Sequence, residues 1–89
     1  MSNQTRASIL VTEAEDLRNF SSASFYVQET TVTLPHQTPS SRIDYRVIGR
    51  RKPCDDPELS ERLEVVAEFG CPNAAAIFAA MAVQTAANI

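Results

Sequence analysis

The chain has 89 residues, 44% of them hydrophobic and 21% charged, with a net charge of −3. That length makes one domain, and the composition is globular rather than disordered or collagenous. The acidic balance argues against bulk attraction to nucleic acid or acidic membranes, and two cysteines are too few for a disulfide-rich scaffold.

Residues 1–6 are not followed by an apolar stretch long enough for a secretory signal, so a reducing cytosol or an assembled particle is the expected compartment. Residues 6–12, Arg-Ala-Ser-Ile-Leu-Val-Thr, fit a short strand. Thr12 to Glu15 matches a capping box that would open one helical turn through Leu17 and Phe20. Its apolar content is thin for a helix, which favours a polar turn leading to a second short strand. Residues 25–34 are rich in Thr, Val and aromatics and read as a strand. Tyr26, Val32 and Leu34 share one face, interrupted by Gln28 and Thr30. Residues 35–41, with Pro35 and Pro39, form a loop.

Residues 42–52 make the cleanest strand and hold five of the eight basic residues. Ile43, Tyr45 and Val47 point one way, and Arg42, Asp44, Arg46, Ile48 and Arg50 the other, with Lys52 in phase. The two strands read as an antiparallel hairpin. Residues 53–60 are an acidic loop. The segment that follows has two local readings. As a strand, Leu63, Val65, Ala67 and Phe69 alternate with Arg62, Glu64, Val66 and Glu68. As a helix, Asp56 caps it, Pro57 takes the first position, Gly70 closes it, and Leu59, Leu63, Val66 and Ala67 form the stripe.

Cys71-Pro72-Asn73 ends that element and starts a last helix over 73–88, capped by either Cys71 or Asn73. No charge follows Glu68. The bulky side chains are Ile77, Phe78, Met81 and Val83, with Ile77, Phe78 and Met81 assigned to one face; the rest is mostly Ala. A helix with hardly any polar side is normally buried around most of its circumference, and so small a domain has little to bury it with. Part of this surface is therefore expected to meet another subunit. The run is too short, and too interrupted by Asn73, Gln84 and Thr85, to span a bilayer.

From Phe25 onward the layout resembles the coat proteins of the single-stranded RNA bacteriophages. The matching parts are Thr30-Thr-Val-Thr-Leu34, a polar loop, Arg42-Ile-Asp-Tyr-Arg-Val-Ile48 and a long loop. Arg62-Leu-Glu-Val-Val-Ala-Glu-Phe69, a Gly-Cys-Pro break and an Ala-rich helix complete the match. The resemblance is one of pattern, without a signature motif, and the chain is shorter than the family's members. It implies an α+β fold: an antiparallel β-sheet with a C-terminal α-helix packing on the sheet of a dimer partner. It divides the chain into an N-terminal hairpin over 1–24, main strands over 25–69 and the helix over 73–88, and makes 62–69 a strand. It further implies homodimers joined edge to edge, an icosahedral shell around genomic RNA, and residence in the virion after assembly in the host cytoplasm. Ile77, Phe78, Met81 and Val83 would form the dimer interface. Cys54 falls in the loop that, in some members, carries inter-subunit disulfides, which leaves open a Cys54–Cys71 bridge between subunits.

Alternation and the resemblance together place the RNA contacts on the sheet face away from the helices. The candidates are Thr31, Thr33, Arg42, Arg46, Arg50, Lys52, Arg62 and Glu64. Arg and Lys neutralise phosphates, and Thr hydroxyls reach phosphates or base edges. The plainer account is a solvated face with Arg46 paired to Glu64 or Asp44. No aromatic on the third strand's outer set is available to stack a looped-out base. His36, Cys54 and Cys71 lack metal-site spacing, and no phosphate loop, nucleophile elbow or spaced carboxylate pair is present. The sequence thus points away from an enzyme, a cofactor, a metal, a membrane or a small-molecule substrate. The alternative is a small phage-encoded binding or inhibitor module that uses the basic strand against an acidic partner.

Overall fold

A computed structural model describes residues 7–10, 14–38 and 40–87. Four strands form one antiparallel sheet: β1 (Ala7–Ile9), β2 (Tyr26–Thr33), β3 (Ser41–Arg50) and β4 (Leu63–Phe69), in the spatial order β1-β4-β3-β2. A single helical turn, α1 (Ala14–Leu17), and a 3-10 turn (Ser22–Ser24) lie between β1 and β2. The chain closes with α2 (Pro72–Ala87). This is the α+β fold expected: an antiparallel sheet and a C-terminal helix.

The segment with two readings is strand β4, seven residues long and central in the sheet. Its β-branched and aromatic residues gain two ladder partners there, β3 and β1. The last helix starts with Pro72 at its first position, and the Cys71 carbonyl accepts the Ala75 N–H at 3.2 Å. Proline fits there because its missing donor would have no partner in any case.

One expectation for the N-terminal part is corrected. Residues 14–17 are helical, not a polar turn into a second strand. Leu17 and Phe20 are both buried and anchor the core, so tertiary burial supplies what local propensity lacks. Among the described residues, β1 pairs across the sheet with β4, Ala7 opposite Phe69 and Ile9 opposite Ala67. The expected strand ends at residues 6, 11 and 12, and the first half of the capping box, lie outside the described residues.

The core lies on one face of the sheet. Val47, Val66, Ala67 and Phe69 meet Leu17, Phe20, Ala75, Phe78 and Ala82. The Phe69 and Phe78 rings are 5.6 Å apart and tilted, and so are Phe20 and Phe25 at 5.8 Å. Gly49 makes room for the second pair: a Cβ there would sit 2.6 Å from Phe25 Cε1 and 3.0 Å from Phe20 Cδ1. The segment 19–24 is laced to the end of β3. Ser21 N–H donates to Arg50 O at 2.8 Å, Arg50 N–H to Ser24 Oγ at 2.9 Å, and Lys52 N–H to Asn19 O at 2.8 Å.

After Phe69 the chain reverses, and α2 runs back across the body to the 3-10 turn. β4 accompanies β3 only over Tyr45–Arg50, whereas β2 accompanies it down to Ser41. Residues 29–33 and 41–44 therefore extend as a two-stranded ribbon beyond the body. The radius of gyration is 14.3 Å, against about 12 Å for a compact chain of this length.

Candidate nucleic-acid interface

Directly paired residues in a ladder share a face, so the register assigns every strand residue to a side. Ser8, Glu68, Arg46 and Gln28 form one row across all four strands. Val65, Ile48 and Tyr26 form the next, and Arg50 faces Leu63. Asp44 faces Thr30, and Arg42 faces Val32. All of these lie on the side opposite α2. The arginine alternation of β3 is thus as expected: Arg42, Arg46 and Arg50 share the outer face.

Five other expected RNA contacts are not on it. Thr31 and Thr33 pair with Ile43 and Ser41, in phase with Tyr45 and Val47, and so lie on the helix side. Val32, assigned to the buried side by sequence, stands beside Arg42 on the outer one. Glu64 pairs with Gly49, again on the helix side, because the register slips between Val47 and Ile48. Ala67 faces Val47 and Val65 faces Ile48, leaving Val66 as the extra residue of a bulge, which inverts the alternation upstream of it. Glu64 instead receives Arg51 Nε at 2.7 Å, and Arg51 lies over the Phe20 ring, 5.1 Å from its centroid. Arg62 goes with it, its Nε 3.6 Å from Glu64 Oε1. Lys52 lies past the strand end, in a hollow beside Arg18.

On the outer face, two of the three arginines are already matched. Arg42 Nε donates to Asp44 Oδ1 at 3.1 Å, and Asp44 is 1% exposed. Arg46 Nε lies 3.7 Å from Glu68 Oε2; its cross-strand partner is Glu68 rather than Glu64 or Asp44. Arg50 is exposed, and no carboxylate among the described residues pairs with it. It shares a shallow hollow with Ser21, Ser24, Tyr26 and Leu63. Tyr26 is the residue that sequence reasoning missed. It was in phase with Val32 and Leu34, but that phase belongs to the outer face, and the face therefore does carry an exposed aromatic.

The interface expected on α2 divides. Phe78 is 7% exposed and packs on Phe69 of its own chain, in line with Ala75, Ala82 and Ala86. It therefore leaves the proposed subunit contact. Ile77 (72% exposed), Met81 (47%) and Val83 point away from the core. One turn of helix separates i from i+4 but a quarter-turn separates i from i+1, which puts Phe78 inside and Ile77 outside.

Cys54 is exposed, Cys71 half-buried, and both are free thiols within the chain. Cys54 belongs to a loop braced from within: its N–H donates to Ser60 Oγ at 3.0 Å, and Glu58 N–H to Asp56 Oδ1 at 2.9 Å. Among the described residues no group of three or more His, Cys, Asp or Glu is placed to hold a metal ion, and no helix is long and apolar enough to cross a membrane. No protein-family model matches the chain, and neither does any curated protein or solved structure.

Proposed function

We propose that the chain is a structural coat protein of a single-stranded RNA phage, which forms dimers that assemble into an icosahedral shell around the genome. The observation that carries this is a pair of complementary bare surfaces. The helix side of the β2–β3 ribbon is not covered by the chain's own helix, and Ile43 there is 40% exposed. The outward stripe of α2, with Ile77, Met81 and Val83, is apolar and equally uncovered. A second copy related by a twofold axis brings its helix stripe over the ribbon and offers its own ribbon in return.

The edge of β2 supports the same reading. Among the described residues no strand pairs with its outer side, and its eight residues carry one charge, Glu29, and neither Lys nor Pro. Such an edge is unguarded against pairing with another chain.

In this assembly the outer sheet face meets RNA. Arg50 supplies an unmatched cation, Tyr26 a ring on which an unpaired base stacks, and Gln28 and Thr30 hydrogen-bonding groups between them. Arg42 and Arg46, matched to acids, contribute less. The rival reading, a binding module whose basic strand grips an acidic partner, is weakened by those same ion pairs. Its two-helix form also needs helix where β4 stands.

Electron microscopy and sedimentation of the expressed chain test the proposal: uniform spherical particles are expected, and a compact monomer at micromolar concentration refutes it. Met81→Glu is expected to leave the circular dichroism spectrum unchanged and to prevent assembly, since a charge buried in an apolar contact costs several kcal/mol, roughly 2–7 for an unpaired polar group alone. Normal particles from this variant place Met81 outside the contact.

A further inference from the structure

One concavity away from the outer sheet face is lined by cations and by no acid. A hollow of about 380 Å³ lies between the end of α1 and the start of the 51–61 loop, lined by Arg18, Asn19, Arg51, Lys52, Pro53, Cys54 and Leu59. Three of these are cationic and none is acidic, in a chain whose net charge is −3. The hollow above Glu64, by contrast, mixes Arg51 and Arg62 with Asp16 and Glu64.

The three cations differ in freedom. Arg51 is held: its Nε is bonded to Glu64, and its guanidinium rests on Phe20. Arg18 is exposed and Lys52 half-buried, and neither has a carboxylate partner among the described residues. The backbone beneath them is fixed by the Lys52 N–H to Asn19 O bond, so the Arg18–Asn19 corner and the Lys52 side-chain stem keep their spacing. Two cations with no carboxylate partner among the described residues, beside a pre-set third and around this hollow, repel one another and favour an anion between them.

We propose that this hollow is a phosphate-binding site, in which Arg18 and Lys52 hold a phosphate group and Arg51 and Asn19 complete its wall. The planar guanidinium of Arg18 matches two phosphate oxygens, and the Lys52 ammonium acts as a point charge. The group belongs either to a small phosphate compound or to the backbone of a polynucleotide; the chemistry of recognition is the same. The site is separate from the outer sheet face and does not depend on shell formation.

Equilibrium dialysis of the full chain tests it with two probes, inorganic pyrophosphate and a short oligouridylate, at low and high salt. Pyrophosphate is expected to bind and to weaken as salt rises. Arg18→Gln and Lys52→Gln are each expected to lower its affinity by about tenfold, the value of one charge-assisted hydrogen bond of about 1.4 kcal/mol, whereas Lys52→Arg retains it and Arg46→Gln leaves it unchanged. Circular dichroism of each variant checks that the fold is intact. Binding of the oligouridylate alone, lost in Arg18→Gln and Lys52→Gln, identifies the phosphate as that of a polynucleotide and upholds the site. Absence of binding by both probes, or binding indifferent to Arg18 and Lys52, overturns it. Oligouridylate binding that depends only on Arg46 and Arg50 overturns it too, while leaving the RNA role of the sheet face standing.

Discussion

The body of the molecule and the ribbon that extends from it are built from the same two strands, yet they solve burial differently. In the body, β3 has β4 on one side and β2 on the other, with α2, α1 and the 3-10 turn above it, and Val47 is fully buried. In the ribbon, β3 keeps only β2, and on the helix side Ile43 and Thr31 face solvent. A two-stranded ribbon alone is marginal in water. The contrast shows which part of the chain is covered by its own contacts and which is left bare; in the proposed dimer a second copy covers the latter.

Substitutions sharpen that contrast in order of effect. Phe20→Ala, which empties a fully buried ring site in the body and removes the rest of Arg51, is expected to cost about 3–5 kcal/mol in urea unfolding. A loss under about 1 kcal/mol would mean that Phe20 does not anchor the core. Gly49→Ala forces Phe25 and Phe20 aside and should cost about 1–3 kcal/mol; a stabilised variant would show that the rings yield freely. Ile43→Ser, in the ribbon, should change the unfolding free energy of the unassociated chain by no more than about 0.5 kcal/mol and yet reduce assembly in sedimentation. Equal losses from Ile43→Ser and Phe20→Ala would erase the distinction between body and ribbon. Arg50→Gln should have the smallest effect on stability, within about 0.5 kcal/mol, and is read instead by reduced RNA retention in particles.

Much of the architecture is legible in the residues. The strict alternation around Tyr45 marks β3, the Thr- and Val-rich stretch marks β2, and the Ala-rich run after Cys-Pro marks α2 within a residue of its observed start. β4 was not decided by local pattern, because Pro57 and Gly70 punctuate it as well as they would a helix; the family likeness pointed to the strand that is observed. Two things were hidden. Leu17 and Phe20 are isolated apolar residues in a polar stretch, and only tertiary contact reveals them as core. The side assignments of Thr31 and Thr33 depend on the register across the β2–β3 hairpin, which period-two counting within one strand cannot supply, and those of Glu64 and Arg62 on the slip in β4. The same gap concealed Tyr26.

Val66, the extra residue in β4, acts on the strand as a single inserted base acts on a reading frame. Downstream of it, Ala67 and Phe69 turn inward; upstream, Leu63 and Val65 turn outward, though all four have the same spacing parity. Straightening the bulge while keeping Val66 would therefore do more than smooth the strand. It would put the upstream half out of frame, sending Glu64 to the far surface and severing it from Arg51. One supernumerary valine thus sets which ions the loop at residues 51–61 can be fastened by.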